Sequence, residues 1–185
     1  MSYPQKLSTE TILVSAMSYI GTHGLDTLTM RTLATTLGVT PNALYRYFPS
    51  KAALEYAMAD QAGLAMLTVL KQAAANKNPS QAMVAIAKVY VQFACDNHAL
   101  YALKMRHGAD PLGRPNSHDA VWAFVMDVVA RLQTRWDTKN LAMSLWAFLH
   151  GLVELNHANL LEGRPPEAAM TVGLEVLLAG LTSPQ

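Results

Sequence analysis

The chain has 185 residues, of which 51% are hydrophobic and only 15% charged, and its formal net charge is +1 at pH 7. That length suits one domain, or a small domain joined to a larger bundle, and the charge excludes a polycation that holds nucleic acid by bulk electrostatics. Its single cysteine, Cys95, excludes an internal disulfide framework and a cysteine-ligated zinc finger. Charge this sparse leaves much apolar surface to hide, and a second copy of the chain is the simplest cover. Met1 to Lys6 lack an apolar run behind a basic start, and the apolar stretch 141–153 is interrupted by Ser144 and His150. Neither a signal peptide nor a membrane span is therefore expected, and a cytoplasmic location is.

The periodicity is helical throughout, with no stretch that alternates at period two, so the expected class is all-α with about nine helices. Ile12, Leu13, Ala16, Tyr19 and Ile20 mark one face of a first helix, which Gly24 ends. Thr29 caps a second helix that stops at Gly38. Thr40 caps a third, with Pro41 at the first position, where the missing N–H is harmless. Pro49-Ser50 opens a long fourth helix to about Asn76, and Asn78-Pro79-Ser80 starts a fifth. A short sixth covers His98 to His107. The segment Gly108 to Ser117, with its Pro and Gly residues, is a loop. A seventh helix runs to about Arg135, and an eighth from Asp137 to about Leu161. Gly163 ends that one, and Pro165-Pro166 opens the last. The change from short to long helices places a domain boundary near residue 50, giving a unit of residues 1–50 and another of 51–185.

The stretch Thr29 to Lys51 carries the most information. Leu33, Ala34 and Leu37 share one face, Gly38 supplies a residue free to take positive φ, Val39 fills the gap below it, and Leu44 and Phe48 face inward. This spacing packs two short helices at a steep angle, as in a helix-turn-helix. With Leu44 at the centre of the buried face, a turn of about 100° per residue aims Asn42 and Arg46 outward, flanked by Ala43 and Tyr45. Exposed Asn and Arg on a short helix can read base edges, Asn with adenine and Arg with guanine. Tyr45, Tyr47 and Lys51 offer donors to phosphates, and the helix start at Thr40 adds free N–H groups. The alternative is a small three-helix unit with an ordinary polar surface. Residues 1–51 lean basic, with Lys6, Arg31, Arg46 and Lys51 against Glu10 and Asp26, too slight an excess to decide between the two.

The run Leu44-Tyr45-Arg46-Tyr47-Phe48-Pro49-Ser50-Lys51, following the Gly38 turn, resembles the signature of the TetR family of bacterial regulators over about residues 8–55. The resemblance implies a dimeric regulator that is not an enzyme and that binds a palindromic site in double-stranded DNA. Its third helix would lie in the major groove, with Pro41, Asn42 and Ala43 there, and with Tyr45, Tyr47 and Lys51 on the backbone. Arg31 falls at a second-helix position that reaches DNA in such proteins. Tyr47 stands where relatives often carry His. The resemblance also implies that residues 52–185 form an antiparallel helical bundle with the dimer interface and a pocket for a small-molecule effector that releases a repressor from DNA.

In that bundle, Trp146-Ala147-Phe148-Leu149-His150-Gly151 resembles the Trp-x-x-x-His-Gly signature of one C-terminal branch of the family. Trp146 and His150 share a helical face, and Gly151, Gly173 and Gly180 point to close helix approach, read as a dimer interface of the last two helices with their mates. Phe93, Trp122, Trp146 and His150 are the candidate effector contacts, with the ten methionines as flexible lining; taken singly, each reads first as core, and a pocket among them is what the resemblance implies. A rival reading is a metal-binding or enzymatic bundle using His150, Glu154 and His157, which fall at i, i+4 and i+7. A di-iron bundle needs two Glu-x-x-His motifs, and only one exists here, so a hydrogen-bonded His inside the bundle is the plainer reading and no cofactor is expected. Cys95 reads as a small buried hydrophobe.

Overall fold

A computed structural model describes residues 7–108 and 116–182, so most of the expected loop between Gly108 and Ser117 lies outside the described residues. Among the described residues there are nine α-helices and no strand. Helix α1, Thr9–His23, begins in a capping box in which Ser8 and Thr11 satisfy each other's backbone N–H, and it ends at Gly24, whose φ is 85°. A three-residue 3₁₀ turn, Leu25–Thr27, leads to α2, Met30–Leu37, capped by Thr29 and closed by Gly38 at φ 66° and ψ 30°. That left-handed residue lets the Val39 N–H reach back to the Ala34 carbonyl at 3.0 Å. Helix α3 is short, Pro41–Tyr45, and Tyr47 and Phe48 both return their N–H groups to the Leu44 carbonyl.

Ser50 caps α4, Lys51–Ala74, whose 24 residues span about 36 Å. The bundle continues with α5, Pro79–Asp96, α6, His98–Arg106, α7, Ser117–Ala130, α8, Thr138–His157, and α9, Pro166–Thr182. Three helices end earlier than the sequence suggests. Asn76, Gln133 and Asn159 take φ of 57°, 50° and 56° just past α4, α7 and α8. Asn tolerates the left-handed region best among residues with a side chain, so Asn159 stops α8 before Gly163 is reached. Its neighbour Leu160 then returns an N–H to the Leu155 carbonyl at 2.9 Å.

Two hydrophobic cores result. The first joins Ile12, Ala16 and Ile20 of α1 to Leu33, Leu44 and Phe48, and continues across residue 50 through Leu54 and Met58 of α4 to Leu103 of α6. The second joins Met66 and Leu70 of α4 to Ile86, Tyr90, Val91, Leu145, Leu149 and Met170 of the bundle. Helix α4 thus belongs to both, packing against α5, α6 and α7.

The tightest crossing lies at Gly63 of α4. A Cβ there would stand 2.7 Å from the Ser117 Cβ and 2.8 Å from the Lys104 Cε. Only hydrogen fits where α4, α6 and α7 meet. Gly173 of α9 is likewise covered by the Phe148 ring of α8, whose Cε2 would lie 2.6 Å from a Cβ, whereas nothing lies within 4 Å of such a carbon at Gly151 or Gly180. Gly63→Ala should gain up to about 1 kcal/mol of helix propensity and lose about 1–3 kcal/mol to overpacking. The expected outcome is a lower urea midpoint at unchanged helix content, and a midpoint at or above wild type would show that Ser117 moves aside freely.

Candidate nucleic-acid interface and cavity

The α2–α3 unit presents one buried and one exposed side, as its spacing requires. Leu33, Ala34 and Leu44 are buried, while Arg31, Thr40, Pro41, Asn42 and Arg46 are exposed and Ala43 is half-buried. Tyr45 and Tyr47 are 47% and 39% exposed, unusual for aromatic side chains. Arg46 is the capping residue just past α3, in helical conformation, and so keeps the outward direction of the helix. With five residues, α3 brings only a small dipole to Thr40.

Two of the expected backbone donors have partners inside the molecule. The Tyr47 hydroxyl donates to the Leu7 carbonyl at 2.8 Å, tying the start of α1 to the end of the reading unit. The Lys51 ammonium lies 3.2 Å from Glu55 Oε1, and Glu55, only 7% exposed, also meets the His107 Nε2 at 3.2 Å. Arg106 reaches Asp26 at 3.5 Å. The end of α6 is therefore held by a hydrogen bond to the base of α4 and by an ion pair to the 3₁₀ turn, beside the apolar contact of Leu103.

The bundle encloses a cavity of about 430 Å³ between α4, α5, α6, α7 and α8. Its wall is mostly apolar, with Met66, Met83, Leu145 and two of the expected residues, Trp122 and Trp146. The other two, Phe93 and His150, do not line it: Phe93 packs against the second core, and His150 sits behind the wall. Tyr101 of α6 lies on the far side of that wall and joins His150 to a buried polar chain. The Trp146 Nε1–H donates to the Tyr90 hydroxyl at 3.1 Å, the Tyr90 and Tyr101 hydroxyls are 2.9 Å apart, and Tyr101 is hydrogen-bonded to the His150 Nδ1. Each hydroxyl both accepts and donates when Tyr90 donates to Tyr101 and Tyr101 to His150, which leaves the His150 proton on Nε2. Burial pushes both tyrosine hydroxyls above their ordinary pKa, so they stay neutral donors.

Sequence reasoning passes over Tyr90, Tyr101, Lys104 and His118. A lysine between Leu103 and Met105 reads as ordinary helix surface, yet Lys104 is 3% exposed and lines the cavity. Cys95 is half-buried and accepts a hydrogen bond from the Asn156 amide at 3.4 Å. Of the metal candidates, Glu154 is exposed and His157 lies against His98, their ring centres 3.8 Å apart and their planes tilted by 48°. Burial, with the His98 ring beside it, holds the His157 imidazole below its usual pKa. Among the described residues no three His, Cys, Asp or Glu side chains are grouped to hold a metal ion. Nor, among those residues, is any helix long and apolar enough to cross a membrane.

Two short helices joined at a left-handed glycine, with an exposed polar face on the second, define a helix-turn-helix DNA-binding protein, here joined to a hollow helical bundle. Residues 12–58 match the family described as bacterial regulatory proteins, tetR family, and residues 83–179 match the tetracyclin repressor-like C-terminal domain. The chain belongs to the TetR family of transcriptional regulators, which are DNA-binding proteins and not enzymes. The C-terminal match does not assign it to the Trp-His-Gly branch. The chain is 27% identical over 184 residues to the uncharacterized HTH-type transcriptional regulator Rv0681 of Mycobacterium tuberculosis, covering 96% of this chain and 83% of that one. Its fold is similar to that of a protein of unknown function from Rhodococcus sp. RHA1, with TM-score 0.87 and 24% identity over 99% of this chain and 100% of the other. It is also similar to a TetR variant from Acinetobacter baumannii AYE in complex with minocycline, with TM-score 0.69 and 23% identity over 95% and 96% of the two chains.

The polar chain behind the cavity yields a direct test. Tyr101→Phe removes the hydroxyl between Tyr90 and His150 and strands the Tyr90 hydroxyl and the His150 Nδ1, both inside the bundle. Unfolding free energy should fall by about 1–3 kcal/mol, read from urea denaturation. A change below about 0.5 kcal/mol would place His150 in contact with water rather than in the chain described.

Proposed function

We propose that this protein is a cytoplasmic homodimeric repressor that holds a palindromic operator through the α2–α3 units of both copies and leaves it when a small molecule fills the bundle cavity. The observation that carries the reading is the sharing of α4 and α6 between two cores. Leu54 and Met58 of α4 and Leu103 of α6 pack with the reading unit, while Met66 and Leu70 of α4 and Lys104 and Met105 of α6 line the cavity. A ligand that favours one position of these helices shifts the reading unit with them, and binding of ligand and of DNA are then thermodynamically linked. A tenfold preference is about 1.4 kcal/mol, within reach of a few contacts. The complex of a structurally similar regulator with minocycline supports a ligand role for such a bundle.

For the reading face, Asn42 and Arg46 supply base contacts, Ala43 and Pro41 apolar contact in the groove, and Arg31, Thr40, Tyr45, Tyr47 and Lys51 contacts to phosphates. For that last role, the Tyr47 hydroxyl exchanges its Leu7 partner and Lys51 turns from Glu55. Arg46→Ala should weaken operator binding and relax preference at one base pair by about 1–3 kcal/mol, while Lys51→Ala lowers specific and non-specific binding alike. Binding measured by fluorescence anisotropy at several salt concentrations checks both, and two variants indistinguishable from wild type would remove this face from the reading.

The dimer face is assigned to α8 and α9. Val172 and Val176, one turn apart on α9, are 62% and 67% exposed, and Leu155 of α8 is 42% exposed. Open space at Gly151 and Gly180 leaves room for a mate's helices. Replacing Val172 and Val176 together by Glu should give a folded monomer by light scattering that no longer holds a two-half-site operator. A variant that stays dimeric would move the interface elsewhere.

A further inference from the structure

We propose that the cavity is built for an anionic amphiphile, an apolar monocarboxylate whose carboxylate is held at Lys104, a reading that rests on the cavity being the effector site. The polar groups of the wall are few and of one kind. Tyr90 and Trp146 spend their polar atoms on each other and on Tyr101, so they fix the wall rather than offer it to a ligand. The remaining polar lining is Lys104, His118 and Lys139; among the described residues no acidic side chain lines the cavity. A neutral ligand would gain hydrogen bonds from such a set but no charge pairing, and a cationic one would be repelled by it.

Lys104 decides the chemistry. It is 3% exposed, and among the described residues its ammonium makes no hydrogen bond and no ion pair. The carboxylates that act on it are Asp60 and Asp119, and both are committed to backbone: Asp60 accepts the Ser117 N–H at 2.7 Å and Asp119 the Asn116 N–H at 3.2 Å. Burial accordingly holds the Lys104 amine below its usual pKa. An ammonium on a largely buried side chain, with no hydrogen bond of its own among the described residues, is poorly solvated, and an incoming carboxylate converts it into a charge-assisted hydrogen-bonded pair inside a wall of low polarity. The crossing at Gly63 holds the group in place, since the Lys104 stem is pressed between α4 and Ser117.

The rest of the wall sets the ligand's body. Met66, Met83, Met105 and Met143, with Trp122 and Trp146, form a yielding apolar surface suited to an alkyl chain or a fused ring. The volume falls within the range of about 300–1,000 Å³ common for small-molecule sites.

The test uses decanoate, decanol and decyltrimethylammonium as probes of one tail with three heads, titrated against the purified full-length protein below their micellar concentrations. Tryptophan fluorescence reports binding, since Trp122 and Trp146 line the cavity. Decanoate should bind at least about tenfold more tightly than decanol, the gain expected of a hydrogen bond to a charged group, and the ammonium probe should be weakest. Lys104→Met, close in volume, should bind decanoate and decanol about equally, with its helix content by circular dichroism showing that it is folded. Wild-type protein that prefers the alcohol or the ammonium, or that binds none of the three, overturns the proposal. So does a Lys104→Met variant that keeps the acid preference. If that variant fails to fold, Lys104→Gln takes its place and must lose the acid preference in the same way. Release of operator DNA is read separately. Decanoate bound at Lys104 without any release would leave this site assignment standing and overturn the ligand-controlled repressor.

Discussion

A single uninterrupted helix is built into two hydrophobic cores, and the placement of the other elements depends on it. The first turns of α4 supply Leu54 and Met58 to the reading unit, and its later turns supply Met66 and Leu70 to the bundle. A helix transmits displacement along its axis because its hydrogen bonds leave it few soft degrees of freedom. A displacement of α4 is therefore felt in both cores. Packing forbids small continuous adjustment as well, since close-packed interiors give way only by repacking.

The second shared element, α6, is only nine residues long, yet three of its faces are engaged. Leu103 enters the first core, Tyr101 the buried polar chain, and Lys104 the cavity wall. Its last turn is pinned by Arg106 to Asp26 and by His107 to Glu55, so charge and apolar contact hold the same end. Exposed pairs such as Arg106 with Asp26 add little stability. Glu55 is different, because it is nearly buried and meets both Lys51 and His107. Removing one partner would leave a carboxylate with little water around it.

Polarity is distributed with economy. The bundle interior keeps a short polar chain, and each of its hydroxyls has a partner on both sides. The result fixes the rotation of α8 against α5 and α6, which apolar packing alone leaves less determined. On the outside, sparse charge and exposed Val172 and Val176 leave an apolar face on α9. The reading face carries only three cations, Arg31, Arg46 and Lys51, the last paired with Glu55, so recognition there must come from groups placed one by one as well as from a weak positive field.

The amino-acid sequence alone determined whatever depends on neighbours in the chain. The caps at Ser50 and Asn78, the glycine stops at Gly24 and Gly38, and the outward aim of Asn42 and Arg46 all follow from local backbone chemistry and a 3.6-residue period. The family signature lies in that same local stretch, which is why class and fold were legible before any tertiary contact. Helix ends at Asn76 and Asn159 were less so, because asparagine takes the left-handed region only when packing asks for it. The cavity was decided by the tertiary structure. Trp146 and His150 share a helical face, but Tyr101, remote in sequence, engages His150 behind the wall while Trp146 stays on the cavity side. Lys104 is an ordinary helix residue until α4 and α7 close over it at Gly63 and Ser117. Which side chains surround a cavity depends on the rotation and crossing of helices far apart in the chain, and no single-helix periodicity encodes that.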